Sequence, residues 1–439
     1  MKKVFNKPIS LIKRINLEHI SYIILLLWAV SPVVEYFLKN YSYTSYTHYY
    51  VRSIYVIGTI GIFEYIMYIF QKFKNKSFVL KDFIPQILIM ILLVLSEIAT
   101  VYSKNPSLSF FGENYRKEGL LVYIMYCGFI MSASIIKEKK FIKNIIKTII
   151  VSAIIITILP LLNEGFSYGN FSNIFHNSNH YGYFLMICSI LSGFMFVKYA
   201  GFKRIMYLLI FCLISYMLIV NDTFGCYLAI FIGLIFALVY SVIKDYKPKE
   251  ITALFTTFIL LSFFISLTGI KIAEKVPSND IHGIVFNNIA SLFKDANSFL
   301  SSSDEVASNK AGSGRGRLWK KASEYILEHP ITGGGMECLN EYYRQNLILM
   351  DRPHNMILQV AAFIGIPGAI IYLTLIVYLA IKNLKYLTKD TYNYMIYTTA
   401  MCYFISSMFG NSMYYTSPYF MILLGFLINM RTNNFTKQN

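Results

Sequence analysis

Apolar runs of roughly 18 to 25 residues recur along nearly the whole chain, each long enough to cross a hydrocarbon core of about 30 Å as a helix. The pattern predicts roughly twelve spans, near 21–38, 52–70, 83–101, 119–136, 142–162, 180–199, 204–220, 225–243, 251–270, 355–381, 394–410 and 415–430. One polar stretch, between the ninth and tenth runs, is too long to be a simple connection. The expected fold is therefore an all-α, polytopic membrane protein with one large extracytoplasmic loop containing short helices. It divides into a membrane bundle over 1–270, the loop over 271–354, and a second bundle over 355–439.

Composition agrees with that pattern, since 56% of the 439 residues are hydrophobic and only 14% are charged. The net charge of +17 does not point to nucleic acid, because the lysines sit in short patches between apolar runs. They act as topology signals. Lys72, Lys74, Lys76 and Lys81, then Lys137, Lys139, Lys140 and Lys143, then Lys198, Lys203 and Arg204, then Lys244, Lys247 and Lys249, then Lys382, Lys385 and Lys389 occupy alternate loops. By the positive-inside rule these loops are cytoplasmic, and so are both termini. Lys2, Lys3, Lys7, Lys13 and Arg14 precede the first run without a small-residue cleavage site, so that run reads as a retained span. The six cysteines form no CxxC pair and read as small apolar side chains. Abundant Ile, Lys, Asn, Tyr and Phe fits an AT-rich bacterial genome, and hints at a single-membrane host.

Two outer segments break the charge rule. Ser103–Glu118 holds Lys104, Arg116 and Lys117, and Lys271–Pro353 holds many more basic residues. The second begins as a serine-rich linker and regains pattern at Arg315. Leu318, Trp319, Ala322, Tyr325 and Ile326 fall at helical spacing, with Lys320, Lys321, Ser323, Glu324 and Glu328 opposite, and Pro330 ends the helix. Such a helix is expected to lie in the headgroup layer. Gly333, Gly334 and Gly335 supply a tight reversal before another helical stretch.

Arg315 and Arg317 precede a helix N-terminus, where guanidinium groups and unpaired amides can converge on a phosphate or pyrophosphate. The alternative is a set of solvated loop charges. Arg352, His354 and Asn355 stand where the loop re-enters the membrane, so His354 suits a general base near an anionic headgroup, or else an interfacial histidine with a hydrogen-bonded ring. His176 and His180 are four apart, but no carboxylate or cysteine stands nearby to complete a metal site, and no metal is expected. Asn177, Asn179 and His180 read as a polar vestibule or a helix cap. Asp222, Glu64 and Glu97 are either pathway carboxylates or groups facing a protein interior. The aromatic excess reads as lipid-facing belt, with sugar stacking as a second use.

GSGRGRLW, HPITGGG and RPHNMILQVAAFIGIPGAIIYL, in that order, resemble the signature block of the O-antigen ligase and O-antigen polymerase superfamily. FFGENYRKEGLLVY, YGNFSNIFHNSNHYGYFL and the terminal YFISSMFGNSMYYTSPYFMILLGFL are similar to its other elements, so that the resemblance covers most of 105–430. It implies a glycosyltransferase using an undecaprenyl-diphosphate-linked glycan as donor and a glycan acceptor, with no cofactor. Membrane lipids surround it, and a flippase and a chain-length regulator are further expected partners. Arg315 would then bind the donor diphosphate, His354 would activate an acceptor hydroxyl, and Arg116 would be a second diphosphate contact. Arg317 and Arg352 join by charge and proximity, and Asn179, His180 and Asn355 as substrate contacts. Many members carry serine-arginine-glycine at the head of a middle span, where this chain has Thr223, Phe224 and Gly225. Polymerase and ligase both remain open, and a polytopic transporter is the alternative outside the enzyme class.

Overall fold

A computed structural model describes residues 16–39, 46–114, 116–164, 175, 177–221, 223–268, 315–411 and 413–430. Among these residues all regular structure is helical. The helices are α1 (Leu17–Lys39), α2 (Tyr46–Lys74), α3 (Ile84–Val101), α4 (Pro106–Phe111), α5 (Leu120–Ile135), α6 (Lys139–Glu164), α7 (Ser178–Lys198) and α8 (Gly201–Val220). They continue with α9 (Phe224–Ile243), α10 (Pro248–Thr268), α11 (Arg315–Glu328), α12 (Cys338–Gln345), α13 (Met356–Leu384), α14 (Thr391–Ser406) and α15 (Ser417–Asn429).

Nine helices among the described residues, α1, α2, α3, α6 to α10 and α13, are long and apolar enough to cross a membrane. The other three expected spans fall on α5, α14 and α15, of 16, 16 and 13 residues. At about 1.5 Å per residue these are shorter than a full hydrocarbon crossing. The serine-rich start of the expected outer loop, together with His176 and Asp222, lies outside the described residues.

Burial sorts the helices. α7 is enclosed over its whole apolar length, whereas α3 and α10 expose most of theirs. Phe63, Ile66, Leu209 and Leu260 project outward, a surface suited to lipid. Inside, α2 and α5 cross at glycines: a Cβ on Gly128 would lie 2.0 Å from the Gly58 carbonyl oxygen, so the two backbones touch directly. Glu64 faces the protein interior, accepting hydrogen bonds from Ser21 (3.0 Å) and Ser132 (3.1 Å). Glu97 is exposed.

The basic connections meet at one end of the bundle. Asp390, which caps α14, pairs with Lys139 and lies 3.9 Å from Lys198, while Arg204 pairs with Glu250 at 3.2 Å. The opposite end gathers α4, α11, α12 and the connections around them.

There the GGG segment locks into a break in α13. Ile364 and Gly365 leave helical geometry ahead of Pro367, freeing carbonyls that a continuous helix would use. Gly334 N–H donates to the Ala362 carbonyl (2.9 Å), Gly335 N–H to Phe363 (3.0 Å), and Ile366 N–H to the Pro330 carbonyl (2.8 Å). Gly365 has φ +78°, and a Cβ there would sit 2.1 Å from the Ile331 carbonyl oxygen, so only glycine fits. Met336 N–H donates to Ser109 Oγ (2.8 Å), tying the same segment to α4.

The position of α11 differs from the expected one. Its apolar face, Leu318, Ala322, Tyr325 and Ile326, is buried in a cluster with Leu339 and Tyr343 of α12 and Ala361 and Ala362 of α13, rather than offered to headgroups. Trp319 donates from Nε1 to the Pro353 carbonyl at 2.9 Å. Protein packing, which sequence periodicity cannot distinguish from lipid, covers the stripe.

Candidate functional site

The two segments that break the charge rule meet at this end, joined by alternating charges. Arg116 makes a bidentate pair with Asp351, through Nε to Oδ2 and through Nη2 to Oδ1 at 2.8 Å. Its Nη1 lies 3.7 Å from Met413 Sδ. Next to it in sequence, Arg352 is 0% exposed and donates to Glu118 Oε2 at 2.6 Å and Glu337 Oε1 at 2.9 Å. Tyr126 donates to the other oxygen of Glu118, also at 2.6 Å. Three carboxylates thus face two guanidinium groups.

The charges tune one another. Burial pushes the Asp351 carboxyl up, but the Arg116 hydrogen bond and charge outweigh it and hold the group below its usual range. Burial opposes the charge on Arg352, yet Glu337 and Glu118 together hold its guanidinium well above the ordinary value. Glu337 is raised, first by burial, with Arg352 opposing. It occupies a left-handed conformation (φ +62°) while buried, a strained backbone fixed by the ion pair it completes.

His354 is a second left-handed residue, at φ +53°. Its Nε2 lies 3.2 Å from Asn411 Nδ2. Burial first, then the charges of Arg315 and Arg116, bring its pKa down to about 4, with Asp351 opposing. The ring is therefore neutral at physiological pH. Arg315, half-buried at the first turn of α11, is within electrostatic range of both the His354 ring and Tyr183 of α7. His180, at the head of α7, is within electrostatic range of Arg116, Arg352 and His354, and its ring lies 5.8 Å from that of Tyr415. The two histidine regions, far apart in sequence, are neighbours.

The remaining expected site residues each have bonds within the protein. Asn355 caps α13, its Oδ1 accepting from Ile357 N–H (3.0 Å) and Leu358 N–H (3.1 Å). Asn177 caps α7 and accepts from the backbone N–H of Asn179, whose side chain is half-buried. Arg317 is exposed and donates to the Asn346 carbonyl at 2.9 Å, where α12 ends. Arg352 is committed to buried carboxylates. Arg315, Arg116, His354 and His180 are brought together.

Glu118, Glu337, Asp351 and Asn411 were not singled out from sequence. Glu118 and Asp351 sit inside the quoted FFGENYRKEGL stretch and immediately before RPHN, and that adjacency was the available signal. At the head of α9, Thr223 Oγ1 and Asn221 Nδ2 both donate to the Ser178 carbonyl, at 3.2 Å and 2.8 Å. These bonds fasten α9 to α7.

No curated protein and no solved structure matches the chain. Residues 208–373 match the family model described as O-antigen ligase, a region that includes Arg315, Arg352 and His354 and stops short of Arg116, His180 and Asn411. That stretch, running from α8 into α13 of a chain with many membrane-length helices, is thus similar to the O-antigen ligase domain.

Proposed function

We propose that the protein is a polysaccharide polymerase or ligase that moves a glycan from an undecaprenyl-diphosphate carrier to a sugar hydroxyl on the extracytoplasmic side of the membrane. The observation that carries this reading is a neutral, strained histidine within electrostatic range of arginines from two separate elements, Arg315 and Arg116, the second buried and held by its pair with Asp351. A neutral imidazole accepts a proton, and guanidinium groups neutralise a departing diphosphate. Transfer would then proceed by attack of the acceptor oxygen on the anomeric carbon as His354 takes its proton, with no metal required. Beneath the cluster an apolar cavity of about 140 Å³, lined by Leu92, Tyr123, Tyr126, Gln359, Phe363 and Leu424, suits part of a lipid chain. Tyr126 links it to Glu118.

Reconstitution with a lipid-diphosphate-linked oligosaccharide, in the presence of a chelator, tests the reading. Chain extension or transfer is expected, falling by about 10²-fold or more in His354→Ala and Arg315→Ala at unchanged protein level. Full activity in either variant removes that residue from the mechanism. Solute uptake without glycan transfer would replace the enzyme with a transporter.

A further inference from the structure

We infer that Asn411 fixes the tautomer of His354, accepting a hydrogen bond from Nε2–H through its side-chain oxygen and leaving Nδ1 as the atom that takes the acceptor's proton. The inference rests on the reading of His354 as the base. It makes Asn411 a positioning residue and assigns the basic nitrogen.

The geometry constrains the choice. The Asn411 amide and His354 Nε2 are 3.2 Å apart, and Asn411 is buried at 6% exposure. A carboxamide nitrogen only donates, a carboxamide oxygen only accepts, and the two are interchangeable in shape. With the nitrogen facing the ring, Nε2 spends its lone pair on the amide and the single ring proton sits on Nδ1. No basic nitrogen then remains, and a proton arriving at Nε2 would meet the amide hydrogen. With the amide turned, Nε2–H donates to Oδ1 and Nδ1 is bare.

The bonding of the amide and of the ring both bear on the choice. With the nitrogen facing the ring, Asn411 Oδ1 is buried without a hydrogen-bond partner among the described residues, and turning the amide gives it the Nε2–H donor. The amide nitrogen then takes the oxygen's place, so bond counting alone is even. The bond itself survives proton transfer only when the oxygen faces the ring, because an imidazolium donates from both nitrogens. The ring's hydrogen bond to Asn411 is made through Nε2, so Nδ1 is the ring nitrogen left to meet a substrate hydroxyl.

The step balances. The acceptor O–H bond breaks and its proton goes to Nδ1; a bond forms from that oxygen to the anomeric carbon; the bond to the diphosphate breaks and its electron pair leaves with the phosphate oxygen. The imidazolium formed faces Arg315 from α11, Arg116 from the α4–α5 connection, Arg352 and Asp351 from its own segment, and His180 from α7. A neutral amide oxygen supports the new charge without tying the resting ring to a permanent ion pair.

Solid-state ¹⁵N NMR of histidine-labelled protein in bilayers, with the His354→Gln spectrum subtracted, reads the tautomer in the resting protein. The Nε2–H form is expected at pH 7, becoming a mixture in Asn411→Leu. In the transfer assay Asn411→Leu should lose roughly 100-fold in kcat with little change in KM. Asn411→Asp, which can only accept from Nε2–H, should keep most of kcat with its acid limb moved to higher pH. An Nδ1–H tautomer in the unmodified protein overturns the inference, as does Asn411→Leu with normal kcat and pH profile. If His354→Ala is fully active the base reading fails instead, a result separable from the tautomer measured without substrate.

Discussion

Arg352 and Arg315 belong to the same basic stretch ending at His354, yet Arg352 is wholly buried between Glu118 and Glu337, whereas Arg315 stands half-buried at the first turn of α11. Arg352 joins its own segment to Glu337, 15 residues away, and to Glu118, 234 residues away. Arg315 acts on the His354 ring from another element. A buried guanidinium between two carboxylates is a structural joint, whereas the proposed role of Arg315, half-buried on α11, is to meet the donor diphosphate. Residue type and sequence neighbourhood do not reveal the joint at Arg352; the two carboxylates that meet it come from other segments.

The largest expected effect breaks the joint. Arg352→Ala strands Glu118 and Glu337 in the interior, and removing one partner of a buried pair costs about 3–5 kcal/mol. Thermal unfolding in detergent should show a large drop, with loss of folded protein in the membrane. Arg315→Ala should melt near the unmodified protein while losing transfer. Equal melting of the two variants would erase the distinction, and recovery of stability in Arg352→Met with Glu118→Gln and Glu337→Gln would confirm that stranded charge is the cause.

A smaller effect follows from protons. His354 has its pKa depressed to about 4 against an unperturbed value near 6.5, so the unfolded chain binds a proton that the folded one refuses. The stability this represents is present above pH 6.5 and is lost as pH falls toward 4, by at most about 3 kcal/mol. Asp351 has the opposite chemistry but also a depressed value. Its contribution holds above the usual carboxylate pKa and is lost only as pH falls below it, through the folded value. Melting temperature measured between pH 7 and 5 should therefore fall in the unmodified protein, fall less in His354→Phe, and keep the same slope in Asp351→Asn. An unchanged slope in His354→Phe would show that the ring is not held neutral.

Much of the frame could be read in advance because it depends on length and period. The buried face of α11 is the one its spacing marks, Leu318, Ala322, Tyr325 and Ile326. GGG and GIPG were legible as a reversal and a glycine-containing span, though not as two halves of one joint. The arginine partners were hidden for a plain reason: Arg116 with Asp351, and Arg352 with Glu118, are pairs separated by 235 and 234 residues. Glu118 and Glu337 look like ordinary loop charges until the fold removes them from water. Asn411 was hidden in the same way, being a small polar residue beside a helix end.

Arg317 offers the smallest effect and a useful control, because it lies two residues from Arg315 and was grouped with it on charge. It is exposed, and its Nη2 donates to the Asn346 carbonyl at the end of α12. A cation at a helix C-terminus satisfies an orphan carbonyl and interacts favourably with the local dipole, an effect worth about 0.3–1 kcal/mol when solvent-exposed. Arg317→Ala should therefore lower the melting temperature slightly and leave transfer nearly normal. Lysine keeps the charge, so Arg317→Lys should restore most of the small loss. A collapse of activity in Arg317→Ala at normal stability would instead move this guanidinium beside Arg315 as a diphosphate contact, and would mean that its bond to Asn346 gives way when the donor arrives.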